Sequence, residues 1–149
     1  MKIKRMYAGN KSEFTSITQY MYQHLVIWSN PRLNNLSKAM ENIAIREMVH
    51  YKMLAKVLVK CGIDPKNCVY IDGNPNLCDY WKASNVSYEK TLVKIFENNC
   101  LLEERAIQEY NEIINNTDSE NLKQILTRII QDEQAHLKYF KLFLNELKI

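Results

Sequence analysis

Glycine and proline are scarce in this 149-residue chain, with three of each. All six fall between or outside the periodic stretches, so no breaker interrupts a helical pattern. No apolar run is long enough to cross a bilayer. The basic start, Met1-Lys2-Ile3-Lys4-Arg5, is not followed by the apolar stretch of a signal peptide. A protein without a membrane segment, resident in the cytoplasm, is expected. Charge of one sign is also lacking: a net +3, scattered along the chain, argues against a nucleic-acid or anionic-membrane partner. The four cysteines, Cys61, Cys68, Cys78 and Cys100, contain no Cys-x-x-Cys spacing. That argues against a zinc ribbon or a rubredoxin-type iron centre. Reduced thiols suit the cytoplasm, and a disulfide among Cys61, Cys68 and Cys78 stays open. What remains is ordinary globular composition, 46% hydrophobic and 25% charged, expected to form one domain over 1–149.

Apolar periodicity predicts four helices. The first runs from about Asn10 to Trp28, with Glu13, Ile17, Tyr20, His24 and Ile27 on its inward stripe and Phe14, Met21, Leu25 and Trp28 beside it. The second runs from about Asn34 to Cys61 and stops at Gly62, a residue favoured just past a helix end. Its stripe is Leu36, Met40, Ile43, Glu47, His50, Leu54, Val57 and Cys61. Residues 62–86 read as a connection rich in Pro, Gly, Asn and Asp. The third helix starts near Ser87, which suits an N-cap, with Leu92, Phe96, Asn99, Glu103, Ile107, Tyr110 and Ile114 facing inward. After a turn at Asn115-Asn116-Thr117-Asp118 the fourth begins near Ser119. Its stripe is Leu122, Ile125, Ile129, Glu133, His136, Phe140, Phe143 and Leu147.

Short turns make two antiparallel hairpins of helices. The middle connection is long enough, at roughly 3.3 Å per residue, to run the length of a helix of about 42 Å. The expected architecture is all-α: a four-helix bundle whose hairpins are joined by a long crossover.

Two Glu-x-x-His pairs stand on these stripes, Glu47…His50 and Glu133…His136. A lone inward glutamate precedes each, Glu13 and Glu103. Residues at i and i+3 share a helix face, so each pair points one carboxylate and one imidazole the same way. Glu13 and Glu47 lie roughly 24 and 20 Å from the first turn, and Glu103 and Glu133 roughly 18 and 21 Å from the second. All four therefore fall near a common level. Four buried carboxylates would repel strongly, whereas two divalent ions offset their charge.

Other readings compete at single positions. Glu13 follows Asn10 by three residues, so it could close a capping box or complement the helix dipole. Gln19 is a weaker substitute ligand, too near the turn, and Glu97 and Glu104 are neighbouring rivals of Glu103. His24 reads as a core or end-of-bundle histidine, and Cys100 as a core thiol. Asp132 points to a neighbouring face and is left unassigned. Tyr20, Tyr51 and Tyr110 border the site as hydrogen-bond donors, radical traps or plain packing.

With these residues the chain resembles the ferritin-like superfamily, and more narrowly the small bacterial rubrerythrin and manganese-catalase relatives. The stretches that carry the likeness are Tyr7-Ala8-Gly9-Asn10-Lys11-Ser12-Glu13 with Ile17-Thr18-Gln19-Tyr20, then Ile45-Arg46-Glu47-Met48-Val49-His50. Glu103-Glu104-Arg105-Ala106-Ile107 and Ile130-Gln131-Asp132-Glu133-Gln134-Ala135-His136 complete it. The resemblance implies a ferritin-like four-helix bundle with Glu13 and Glu103 as terminal ligands. It implies Glu47 and Glu133 as bridging or capping ligands, with His50 and His136 on one ion each. Two features depart from rubrerythrins. Ala106 stands where they carry a further glutamate, and their paired Cys-x-x-Cys knuckles are missing.

Imidazole with carboxylate suits iron or manganese, with zinc as an adventitious occupant. The expected function is that of a di-metal carboxylate redox protein acting on hydrogen peroxide or dioxygen, catalase-like or peroxidase-like. A peroxidase would need an external electron donor; disproportionation would not, because peroxide is both donor and acceptor. The alternatives are a ferroxidase or iron-handling protein, and a bundle that binds metal without catalysis. A homo-oligomer, a dimer on base rates, is expected.

Overall fold

Helices make up most of the computed structural model, which describes residues 2–148. In order they are α1 (Lys2–Ala8), α2 (Glu13–Trp28) and α3 (Asn34–Lys60), then α4 (Leu92–Asn115) and α5 (Glu120–Leu147). Between α3 and α4 stand two strands, β1 (Cys68–Ile71) and β2 (Asn74–Tyr80). The chain divides into two compact units, one ending at Val86 and one starting at Ser87. Among the described residues no helix is long and apolar enough to cross a membrane.

In the first unit α2 and α3 form an antiparallel pair. One short 3-10 turn, Pro31–Leu33, reverses the chain. Its Asn30 side chain accepts the Arg32 amide at 3.1 Å. Across the turn His24 Nδ1 lies 2.8 Å from the Ser37 carbonyl and 3.0 Å from the Ser37 hydroxyl. That pins the end of α2 to the start of α3. Tyr20, Ile27, Met40, Ala44, Leu54 and Leu58 supply apolar burial, each fully buried large side chain contributing about 1.5–3 kcal/mol. Gly62, with φ +71°, closes α3 as expected.

The inward stripe of α3 runs Glu47, His50, Leu54, Leu58. Val57 is half-buried and Cys61 exposed, contrary to expectation. The expected stripe kept nearly a 3.5-residue repeat, and a straight helix drifts off that over several turns. Leu25 and Trp28 likewise point outward from α2.

Two elements in this unit depart from the sequence reading. The helix α1 was not expected, nor was the β hairpin inside the 62–86 connection. Strands β1 and β2 pair antiparallel, from Cys68↔Tyr80 to Ile71↔Asn74. Asp72 and Gly73, with φ of 50° and 71°, make the reversal. Left-handed conformation at both central residues is what a two-residue Asp-Gly turn provides. Lys4 joins α1 to the segment before β1. Its buried ammonium donates to the Asp64 carbonyl at 2.7 Å and the Lys66 carbonyl at 2.6 Å.

In the second unit α4 and α5 are antiparallel, tied along their edges by Lys141–Glu104 at 3.0 Å and Lys148–Glu97 at 3.8 Å. Their core holds Ile95, Phe96, Leu126, Ile129 and Phe140. Phe96 packs on Phe140 and Phe143 with ring centres 5.7 and 4.8 Å apart. The Ser119 side chain caps α5 by accepting the Leu122 amide at 3.2 Å. Helix α4 begins at Leu92 rather than near Ser87. Ser87 is no cap; its hydroxyl accepts from the Asn98 side-chain amide at 2.9 Å.

Candidate metal centre

Each unit carries one triad of two carboxylates and an imidazole. In the first, Glu47 and His50 come from successive turns of α3, with His50 Nδ1 3.1 Å from Glu47 Oε2. Glu13 enters from α2, its Oε2 3.7 Å from the same nitrogen. In the second, Glu133 and His136 come from α5, with His136 Nδ1 3.4 Å from Glu133 Oε2. Glu103 enters from α4 at 4.0 Å. Within each triad one donor atom per residue lies within 4.8 Å of the others.

All six side chains are buried, at 0–8% exposure. Carboxylates are rarely enclosed to this degree without a cation, because leaving water costs several kcal/mol per ion. In both triads Nδ1 faces the carboxylates, so it is the nitrogen that would face an ion. Nε2 then keeps the ring proton for an acceptor behind it. The donor set, oxygen with imidazole nitrogen, fits iron or manganese.

The first turn of α2 shows how Glu13 comes to point inward. The N-cap is Ser12, two residues later than the expected start, and its side chain accepts the Thr15 amide. Glu13 is therefore the first helical residue, where the helix dipole favours negative charge. The Thr15 hydroxyl donates to the Asn10 carbonyl at 2.9 Å and accepts from the Trp81 indole N–H at 2.9 Å. The residue at the end of the β hairpin thus fixes the turn that carries Glu13. Phe14 packs beside it against Trp81 and Tyr51, with ring centres 4.6 and 5.6 Å apart.

The neighbouring acidic residues are engaged elsewhere. Glu104 pairs with Lys141, and Glu97 with Lys94 and Lys148. Asp132 pairs with Arg128 at 2.7 Å. His24 holds the α2–α3 turn, and Gln19 is buried on α2. Tyr20 and Tyr110 are fully enclosed. Tyr51 donates to Asn67 Oδ1 at 2.6 Å and lies 2.6 Å from the Tyr7 hydroxyl. The Tyr7 ring stacks on it at 4.3 Å. Trp81, Thr15 and Ser12 escaped sequence reasoning; only the Asp72-Gly73 pair hinted at a hairpin that would bring Trp81 back.

A model of the family described as Ferritin-like domain matches residues 10–149. Among curated proteins no match was found. Solved structures share the fold. KatB, a manganese catalase from Anabaena PCC7120, superposes with a TM-score of 0.79 at 21% identity, covering 98% of this chain and 70% of that one. Desulfovibrio desulfuricans bacterioferritin, whose structure describes a di-iron site, gives 0.80 at 24% identity, covering 99% and 80%. A dodecameric thioferritin, the bacterioferritin-related protein of Bacteroides fragilis, gives 0.74 at 21% identity, covering 99% and 86%.

Proposed function

Because the chain belongs to the ferritin-like domain family and has its four-helix-bundle fold, we propose that its two triads hold two iron or manganese ions. The ligands are Glu13, Glu47 and His50 with Glu103, Glu133 and His136. One observation carries the reading: a buried Glu/Glu-x-x-His set recurs in each of the two helix pairs. That repetition is the ligand pattern of di-metal carboxylate bundles. A pair of such ions supplies two-electron redox chemistry toward hydrogen peroxide or dioxygen. The protein's part is to hold the carboxylates against their mutual repulsion, keep each imidazole neutral at Nδ1, and exclude bulk water. Tyr20 and Tyr110, enclosed on α2 and α4, are the proposed hydrogen-bond donors to the ligands; Tyr51 is already committed to Asn67 and Tyr7.

A catalase- or peroxidase-like reaction is the leading activity, and the peroxidase form takes its electrons from an external donor. A ferroxidase is the alternative, favoured by the equally good fit to bacterioferritin. A cytoplasmic homo-oligomer completes the proposal. Elemental analysis of anaerobically purified protein tests it, with two iron or manganese ions per chain expected. Zinc alone, or no metal in well-folded protein, overturns the redox reading. Oxygen evolution from peroxide marks the catalase form. Iron(II) oxidation by a hollow assembly marks the alternative.

A further inference from the structure

Cys68 and Cys78 lie on one face of the β1–β2 hairpin. Cys68 opposes Tyr80 and Cys78 opposes Tyr70, so the two-residue alternation of a strand turns both thiols to the same side. Their sulfurs are 2.7 Å apart, with the Cys68 S–H directed at the Cys78 sulfur. Cys61 is exposed past the end of α3 and Cys100 is buried in α4. The paired thiols differ in access: Cys68 is fully enclosed, whereas Cys78 is half-buried. Burial, and then the hydrogen bond with Cys78, push the Cys68 thiol up to about 11 against the pull of the Lys4 ammonium. Cys68 therefore keeps its proton near neutral pH and donates it. Cys78, the more accessible of the two, is the sulfur that an oxidant meets.

We propose that Cys68 and Cys78 form a reversible dithiol–disulfide site oxidised by hydrogen peroxide, separate from the metal-ligand triads. The Cys78 sulfur attacks one peroxide oxygen and the O–O bond breaks, giving a sulfenic acid and one water. The Cys68 sulfur then attacks the Cys78 sulfur. An S–S bond forms, and the hydroxyl leaves with the Cys68 proton as a second water. Two thiols thus give up two electrons and two hydrogens, and peroxide becomes two waters. A small dithiol reverses the step by thiol–disulfide exchange, ending as its own disulfide. The product closes the hairpin covalently around the Asp72-Gly73 turn. The site does not depend on the metal reading, since its oxidant reacts at sulfur.

The test uses the full-length, metal-containing protein. It is treated with a small excess of hydrogen peroxide, denatured, alkylated and mapped by mass spectrometry. Loss of two free thiols per chain is expected, with the Cys68 and Cys78 peptides joined and Cys61 and Cys100 still alkylated. Dithiothreitol restores both thiols. Chelating the metal beforehand leaves the cross-link unchanged, Cys78→Ser abolishes it, and Cys61→Ser does not. Alkylation of both Cys68 and Cys78 after peroxide overturns the proposal in the wild-type protein itself, whatever the variants do. A joined peptide containing Cys61, or a cross-link formed only with metal bound, overturns it as well.

Discussion

Glu47 and His136 stand on different helices and in different triads, so each reports on the ligand set from its own side. Changing either to Ala should reduce bound metal from two ions per chain to one or none. The helical circular-dichroism signal should stay nearly unchanged. Elemental analysis beside the spectrum checks both halves. Retention of two ions in either variant removes that residue from the ligand set. Tyr7 makes a different residue-scale prediction. Burial first, then its hydrogen bond with Tyr51, hold its hydroxyl well above the ordinary tyrosine value of 10.0. The folded state therefore resists ionisation that the unfolded chain undergoes. The Tyr7 contribution is intact below pH 10 and is lost as pH climbs beyond it, at no more than about 1.4 kcal/mol per pH unit. Tyr7→Phe should lose stability less steeply than wild type above pH 10 in urea titrations. Parallel curves would show that Tyr7 ionises freely in the fold.

At the level of elements, the start of α2 decides where Glu13 points. Ser12→Ala removes the cap and should cost about 1 kcal/mol, read as a lower urea midpoint. It should also weaken metal retention in competition with a chelator, because the first turn frays at its ligand. A loss of stability with unchanged metal affinity would uncouple the cap from the centre. The four long helices were legible because their apolar periodicity runs for many turns without a breaker. The antiparallel turns followed from Pro31 and from the Asn115–Asp118 segment. What failed was short-range. Helix α1 is only seven residues long, and its place rests on Lys4 reaching Asp64 and Lys66, a contact no local pattern announces. The hairpin did carry a local signal, Asp72-Gly73 after the β-branched and aromatic run Val69-Tyr70-Ile71. It was obscured by the Pro and Asn content around it. Ser87 looked like a cap because it has the right side chain, but that hydroxyl serves Asn98.

For the molecule as a whole, the burial of the two Glu-x-x-His pairs was readable because positions i and i+3 share a helix face and glutamate on an apolar stripe is rare. The structure brings the residues of each triad together as the spacing predicts. The surrounding hydrogen bonds were not readable, since Trp81 reaches Thr15 from 66 residues away. Metal should also govern global stability. Chelation should lower the unfolding free energy by about 4 kcal/mol for each ion removed, relative to protein in free metal at 1,000 times the dissociation constant. Calorimetry measures this. Glu133→Gln should melt above wild type when both are metal-free, because it removes one buried charge. The order should invert when metal is supplied. An order that stays the same with metal would mean that Glu133 is not a ligand, and equal metal-free melting would mean that it is not held against repulsion.

The lysine of α1 and the carbonyls that receive it lie 60 and 62 positions apart. A ribosome adding about 5–20 residues per second delivers those carbonyls roughly 3–12 s after the lysine. Throughout that interval the Lys4 ammonium, enclosed in the finished protein, lacks the two carbonyls that receive it. Tyr51, which the Tyr7 ring stacks on, is made earlier, so α1 can lean on α3 first and is locked to the connection only once residue 66 has emerged.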